Sequence, residues 1–248
     1  MNQSRPALDK ILFLDIETVP QTASLEELNP EMQHLWEEKF NLLKARMPEK
    51  YPVEATADFG YQNGAGIYSE FAKIVCISVG VIYLKDNEKH IRTKSFAGDN
   101  EAKLLTDFAR MASTFLISSQ QYVCGHNIKE FDIPFICRRL LINGITIPSA
   151  LDVSGKKPWE TSFIDTLELW KFGDFKNYTS LKLLTAIFGI PTPKDDIDGS
   201  QVASVYYNEK DVKRISLYCE KDVVATAQVY LRMCGHELIL SEHIEHAD

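Results

Sequence analysis

The sequence predicts an α/β fold, because strand-like and helix-like segments share a chain of 248 residues. Two apolar runs rich in β-branched residues, 10–18 and 73–84, are typical of strands. Two longer stretches, 100–116 and 213–233, carry apolar side chains at helical spacing. This length suits either one large domain or two small ones. We favour a single domain over 1–235, followed by a polar tail at 236–248.

The remaining elements follow from local signals. A turn is predicted at 86–88, followed by a more exposed strand at 90–96 and, further on, a short strand at 122–125. A helix is predicted at 131–142, closed by a left-handed cap at Asn143 and Gly144. Residues 163–170 read as a strand or a strand running into a helix, and 180–188 as a helix that Gly189 stops.

Residues 21–72 form an unusually long connection between the first two strands. Residues 25–47 have a helical pattern, whereas 48–66 are rich in turn-forming residues. Connections of this length are either functional lids and inserted subdomains or structural decoration. Both interpretations stay open for this insertion.

Composition excludes some classes of protein. The net charge of −8 argues against non-specific binding to duplex DNA through a global basic field. The five cysteines are scattered, which favours reduced core thiols over disulfides or zinc sites. No apolar stretch is long enough to span a bilayer and no leader precedes the first strand, so we expect a soluble, cytoplasmic protein without a membrane partner.

Two acids interrupt the first predicted strand. Asp15 and Glu17 are two residues apart and therefore point to the same face. Like charges held together in a poorly solvated place need a raised pKa, a basic partner or a divalent cation, and no Lys or Arg adjoins them. Alone, this pair fits an exposed strand end equally well.

Two other positions place acids at the ends of predicted elements. Asp132 opens a helix after a polar turn, where an acid also serves as a helix cap. Tyr218 and Asp222 are four residues apart and share one face of the last helix, where a surface pair is the alternative.

These residues, taken in order, resemble the DnaQ-like 3′–5′ exonucleases of the RNase H-like superfamily, in the subgroup with four acids and a tyrosine called DEDDy. Its first motif, DxE, matches Asp15 and Glu17; its second, an Asn followed by an aromatic–Asp pair, matches Asn127, Phe131 and Asp132; its third, YxxxD, matches Tyr218 and Asp222. The segments 163–170 and 179–191 also resemble this family. The likeness is greatest to stand-alone predicted exonucleases related to the proofreading domain of family-B DNA polymerases.

The resemblance implies a five-stranded mixed sheet flanked by helices and two divalent ions, Mg²⁺ or Mn²⁺. Asp15 would bridge the two ions, with Glu17 and Asp222 on the ion that binds the nucleophile and Asp132 on the second ion. Tyr218 would position the attacking water. The substrate would be the 3′ end of a single-stranded nucleic acid, with DNA favoured over RNA.

Further substrate contacts are expected near these motifs. The resemblance suggests Thr18 and Val19, which follow the first two acids, and Asn127 and Phe131 beside Asp132. A turn-forming role for Asn127 and a core position for Phe131 are the alternatives. An RNA-trimming exonuclease and a catalytically silent binding module remain alternative functions, although no acid of the motifs is missing. A protein partner is not indicated by any motif.

Overall fold

The computed structural model describes residues 5–118, 120–157, 160–174, 178–191 and 197–247. Its centre is a six-stranded mixed sheet with the spatial order β5-β4-β1-β2-β3-β6. Strands β1, β2 and β3 are antiparallel neighbours, whereas β4, β5 and β6 each pair in parallel. The strands are β1 (Ile11–Pro20), β2 (Ala72–Lys85), β3 (Glu88–Ala97), β4 (Tyr122–Gly125), β5 (Phe163–Asp165) and β6 (Ile244–His246).

Helices lie on both faces of this sheet. They are α1 (Pro30–Arg46), α2 (Ala57–Gly64), α3 (Glu101–Phe115), α4 (Asp132–Ile142), α5 (Thr166–Lys171), α6 (Leu181–Ile187), α7 (Val202–Ser204) and α8 (Val212–Met233). A π-helical turn, Val205–Glu209, continues α7. The predicted α/β fold with a mixed, helix-flanked sheet is therefore confirmed.

The β2–β3 hairpin forms where the sequence predicts a turn. Asp86 and Asn87 adopt φ angles of 51° and 64°. Positive φ at both central residues is the conformation of a tight hairpin turn that matches strand twist, and Asp and Asn tolerate it.

Strand β1 has a core on each side because its side chains alternate. Leu14 and its neighbours on one face pack in the cluster that contains Phe108 of α3 and Phe135 of α4. Phe13 on the other face packs with Val223 of α8. Helix α8 lies so close to the sheet that a Cβ added to Gly80 would come within 2.8 Å of a Val223 methyl group.

The insertion between β1 and β2 has a small core of its own around Trp36. The Trp36 indole N–H donates a hydrogen bond to the carbonyl of Ala57 at 2.8 Å. The helical prediction for 25–47 is confirmed by α1, which Asn29 caps. The turn-rich interpretation of 48–66 is wrong in part, because α2 forms within it. Gly60 and Gly64 obscure this helix in the sequence, since glycine is a poor helix former that here permits close contacts with aromatic rings.

The expected polar tail also takes part in the sheet, which explains the sixth strand. Its β6 pairs in parallel with β3. Glu245 accepts a hydrogen bond from Arg92 at 2.9 Å, and His246 contacts the buried Glu220. Three residues without apolar alternation give no strand signal, so the five-stranded expectation is corrected. No helix in the described ranges is both long and apolar enough to cross a membrane.

Candidate active site

Strand β1 carries its two acids toward α8. Asp15 lies opposite Ser78 of β2 and Glu17 lies opposite Cys76, and the register shifts by one residue immediately after Glu17. Bulges of this kind increase local twist and are frequent beside functional sites. Asp15 is partly exposed, whereas Glu17 is only 8% exposed. The end of β1 thus carries two carboxylates on one face of the strand.

Helix α8 supplies the groups that face these acids. The Cys219 thiol lies 3.4 Å from the Asp15 carboxylate oxygen Oδ2. Ligand atoms of Asp15, Glu17 and Cys219 all lie within 4.8 Å of one another. Tyr218 and Asp222 are half-buried on the same helix, and their side chains hydrogen-bond to each other. Sequence reasoning assigned Cys219 only to the core, although its position directly after Tyr218 was a signal.

Asp132 approaches from the opposite side, at the start of α4. It is 4% exposed, and the N-cap position belongs to Phe131, which makes no capping side-chain hydrogen bond. The helix-capping alternative for Asp132 is therefore not what the geometry shows. Asp132 lies outside the compact group on β1 and α8, but its charge acts on both Asp15 and Glu17.

The two β1 acids are hard to ionise together. Burial raises the pKa of Asp15 most, followed by the charges of Asp222, Asp132 and Glu17. Burial also raises the pKa of Glu17, with contributions from Asp222, Cys76 and Asp132. No Lys or Arg of the described ranges is among the groups that shift these two values. Within the described residues, the charge of this cluster is therefore not compensated by a basic side chain that shifts these values.

The pKa values of Asp132 and Tyr218 are also raised. Burial raises the pKa of Asp132 to about 7, the charge of Asp165 adds to this rise, and a hydrogen bond with the backbone of Ile16 opposes it. Burial likewise raises the pKa of the Tyr218 hydroxyl, and the charge of Asp222 adds to it. Tyr218 is therefore a neutral hydrogen-bonding group at ordinary pH.

This donor set fits divalent metal ions. Mg²⁺ and Mn²⁺ take oxygen ligands and are held by few carboxylates together with substrate phosphate. Glu17 is 8% exposed, and the charges of Asp222 and Asp132 act on it. Like charges held together in a buried place are costly unless a cation accompanies them. Asp15, Glu17, Asp132 and Asp222 are the residues that would hold such ions.

The expected substrate contacts have mixed outcomes. The Thr18 hydroxyl donates a hydrogen bond to the carbonyl of Gly66 at 2.7 Å and is partly exposed. Val19 has 0% exposure within a core cluster, which corrects the expectation that its side chain meets substrate. Asn127 adopts a φ of 63°, which supports the turn-forming alternative. Phe131 is partly buried and packs against the core, with its ring centroid 5.4 Å from that of Phe135.

The loop before α4 is braced by residues outside the three motifs. His126 bonds through one ring nitrogen to the Thr166 hydroxyl and through the other to the carbonyl of Thr179, both at 2.9 Å. Both ring nitrogens are thus engaged, which agrees with a structural role. Tyr178 was missed by sequence reasoning: it is 67% exposed, and the charges of Asp132, Asp165 and Asp15 raise its pKa beyond the effect of burial.

A groove of about 940 Å³ lies along α8, and Tyr218 and Asp222 are among the residues that line it. Lys213, Arg214 and Lys221 also line it, which places positive charge beside a strongly acidic centre.

The sheet and its flanking helices thus carry acids on β1, α4 and α8. The family of predicted 3′–5′ exonucleases related to the exonuclease domain of PolB matches residues 67–247, and this chain belongs to that family. The resemblance drawn from the three motifs is therefore confirmed. The matched range begins after Asp15 and Glu17 and includes the C-terminal strand β6.

Other comparisons are more distant. No curated protein matches the chain. The RNase domain of the yeast Pop2 protein, solved by X-ray crystallography, is similar at 11% sequence identity and a TM-score of 0.39. That alignment covers 96% of this chain and 81% of the Pop2 domain.

Proposed function

We propose that this protein is a metal-dependent 3′–5′ exonuclease that hydrolyses phosphodiester bonds of single-stranded nucleic acid, with DNA favoured over RNA. The observation that carries the proposal is that the charges of Asp222, Asp132 and Glu17 all raise the pKa of the buried Asp15 carboxylate, while no Lys or Arg of the described residues is among the groups that shift it. Such a pocket suits a cation-bridged phosphate, because the ions and the phosphate together balance the acids.

The acids hold metal in this proposal. Asp15 would be shared by two ions, which is supported by the charges of Asp222, Asp132 and Glu17 all raising its pKa. Glu17 and Asp222 would hold one ion with it, and Asp132 would hold the second. Two divalent ions supply activation of water and stabilisation of the leaving 3′ oxygen.

Tyr218 orients the nucleophile. Its hydroxyl stays protonated because burial and the nearby acids raise its pKa. A neutral hydroxyl both donates and accepts hydrogen bonds, so it can hold a water molecule without adding charge to the cluster. Asp222, one helical turn further on, fixes the position of the hydroxyl through their hydrogen bond.

The groove beside α8 provides a route for the strand. Lys213, Arg214 and Lys221 line it next to Tyr218, and contacts from Lys and Arg to phosphates position a strand without reading its bases. The net charge of −8 requires such contacts to be local. We assign residues 1–235 to one exonuclease domain, whose sheet is completed by β6 from the C-terminal segment.

The test is incubation of purified protein and Mn²⁺ with 5′-labelled single-stranded DNA and RNA of matched sequence. Stepwise shortening from the 3′ end is the expected result. A circular single strand of similar composition is the substrate control, because it has no 3′ end, and Asp15→Asn is the protein control. Cleavage of the circle would identify an endonuclease. Faster shortening of RNA would favour an RNA-trimming enzyme, since the 2′-OH distinguishes the two substrates.

Binding without cleavage of any substrate would instead indicate a silent binding module.

A further inference from the structure

An exposed aromatic side chain borders the loop between β4 and α4. Tyr178 precedes α6 and is 67% exposed. Its ring centroid is 6.2 Å from that of His126, and the ring planes meet at 71°, which is an edge-to-face contact. A single exposed aromatic residue needs no explanation by itself. This one is of interest because its neighbour His126 belongs to the loop that leads to Asp132.

The register of the sheet places this contact near the acids of β1. Strands β1 and β4 are parallel neighbours, and Phe13 lies opposite Cys124. Asp15 comes two residues after Phe13, and His126 comes two residues after Cys124. Asp15 and His126 are therefore at a similar level along the strand pair. The ring of Tyr178, packed on His126, lies on the side of the site that the β4–α4 loop forms.

The charges that act on the Tyr178 hydroxyl agree with this position. Burial raises the pKa of Tyr178, and the charges of Asp132, Asp165 and Asp15 add to the rise. Asp15 and Asp132 are two of the four candidate metal ligands. Tyr178 thus presents an exposed ring within electrostatic reach of the place where a phosphodiester would bind.

Hydrogen bonds of His126 fix the backbone next to this ring. The His126 Nε2 lies 2.9 Å from the carbonyl oxygen of Thr179, the residue directly after Tyr178. A carbonyl oxygen only accepts, so Nε2 carries the proton and donates it to this bond. The other ring nitrogen, Nδ1, is 2.9 Å from the Thr166 hydroxyl. Tyr178 is therefore held in place before any ligand arrives, which lowers the entropic cost of a contact with it.

The chemistry of an exposed, uncharged ring suits a base better than a phosphate. Phosphates are held mainly by Lys, Arg and backbone N–H groups, whereas aromatic rings bind single strands by stacking on bases. The carboxylates near Tyr178 also disfavour a phosphate that is not bridged by metal. The ring is therefore suited to the base of a nucleotide whose phosphodiester lies at the acids.

We propose that Tyr178 is a substrate-positioning residue whose ring stacks on the base at the 3′ end of the strand. The inference rests on the proposed function, because the last base reaches this ring only when the terminal phosphodiester lies at the acids. Every base has a face that can stack, so this contact holds a 3′ end without reading its sequence. Its loss weakens binding of the strand more than it slows the bound complex.

The test measures single-turnover cleavage of a 5′-labelled single-stranded DNA over a range of concentrations of the purified full-length protein with Mn²⁺. Tyr178→Ala should raise the half-saturating concentration on the order of 10-fold, with a smaller change in the rate at saturation. Tyr178→Phe keeps the ring and should retain the wild-type half-saturating concentration.

A strand that ends in an abasic nucleotide identifies the group that Tyr178 contacts. It should bind the wild-type protein more weakly by a similar factor, because the stacking base is absent. Tyr178→Ala should then cause no further loss, since the variant and the abasic end remove the same interaction. Anisotropy of the labelled strand with Ca²⁺ in place of Mn²⁺ measures binding independently of cleavage.

Phe172→Ala is the matched control. Phe172 is 91% exposed at the end of α5, and its substitution removes an exposed ring without changing the contact between Tyr178 and His126. It should bind intact and abasic ends as the wild-type protein does. Melting temperatures check that the variants fold. If Tyr178→Ala melts well below the wild-type protein, Tyr178→Leu, which keeps side-chain bulk without an aromatic face, replaces it.

The outcomes separate this inference from the proposed function. Wild-type cleavage that Tyr178→Ala leaves unchanged would overturn the contact and leave the nuclease intact. An equal loss on intact and abasic ends, a similar loss in Tyr178→Phe, or a similar loss in Phe172→Ala would overturn stacking by this ring. Binding without cleavage, with the expected dependence on Tyr178 and on the last base, would support the contact and reject the nuclease. A protein that neither binds nor cleaves single strands would contradict both proposals.

Discussion

Asp165 accepts a hydrogen bond from the backbone N–H of Asn127 at 3.0 Å, and this contact ties the loop before α4 to the start of α5. The same carboxylate accepts from the N–H of Lys129 at 3.2 Å and from that of Leu167 at 2.9 Å. Asp165 is 3% exposed, so these donors have little access to water. It therefore holds the loop that carries Asp132 without belonging to the compact ligand group.

Asp165→Ala should destabilise the protein by about 2–4 kcal/mol, because it removes a helix cap and leaves buried N–H groups unpaired. Urea denaturation measures this change. The matched control is Asp152→Ala, since Asp152 is exposed and accepts from the N–H and hydroxyl of Ser154. Its cost should stay below about 1 kcal/mol. Equal losses in the two variants would show that Asp165 does not brace the loop.

Metal should stabilise the folded protein, since it binds the native acid cluster in preference to the unfolded chain. Millimolar Mn²⁺ should raise the melting temperature and EDTA should reverse the rise. The shift should shrink in Asp15→Asn, whose neutral amide is a weaker ligand. If the melting temperature changes with neither Mn²⁺ nor chelator, the acids do not form a metal site.

Without metal, the acid cluster should make the protein less stable as the pH rises. The pKa of Asp132 is raised to about 7, and those of Asp15 and Glu17 are raised as well. An ordinary Asp titrates near pH 4, so between about pH 4 and pH 7 the unfolded chain has lost protons that the folded protein retains. The contribution of Asp132 to the free energy of unfolding therefore falls across this window.

Asp132→Asn removes that contribution. Thermal melting in EDTA measures this effect. Between pH 5 and pH 8 the variant should lose less stability than the wild-type protein. An identical pH dependence in the two proteins would indicate that Asp132 is not held in a strained, buried environment.

The insertion should shape access to the pocket. Thr18 follows Glu17 directly and bonds to the carbonyl of Gly66, so the insertion contacts the strand that carries the acids. Replacing residues 25–66 with a short Gly/Ser linker should alter the preferred substrate length or strand type while some metal-dependent cleavage remains. Thr18→Val, which removes only the hydroxyl contact, is the matched control and should have a smaller effect. Unchanged kinetics on every substrate would make the insertion structural decoration.

The strands, most helices and the three acidic motifs could be predicted because each has a local signature. A run of apolar residues marks β1, and two acids interrupt that run. Contacts between distant segments produce no recognisable pattern in the local sequence. Arg139 forms a buried ion pair with Glu101 at 2.6 Å that only the packing of α3 against α4 reveals. Likewise, nothing local shows that Cys219 lies beside Asp15.

Substitution of a metal ligand and substitution of Tyr218 should impair the protein in different ways. Asp15→Asn changes a residue placed among the other three acids, so metal-induced stabilisation and turnover should fall together. Tyr218→Phe removes only a hydroxyl that hydrogen-bonds to Asp222. This variant should keep its stabilisation by Mn²⁺ and its affinity for single strands, yet its rate should fall on the order of 10²-fold or more, as expected when a positioned catalytic group is lost.

Single-turnover cleavage, measured beside strand binding in the same buffer, separates these two kinds of failure. Tyr83→Phe is the control, because the Tyr83 hydroxyl contacts Glu245 near the C-terminal strand rather than the acid cluster. Its cleavage rate should match that of the wild-type protein. If Tyr218→Phe also cleaved at the wild-type rate, the tyrosine would not orient the nucleophile, and the assignment to the DEDDy subgroup would lose its mechanistic basis even though the acid cluster remained.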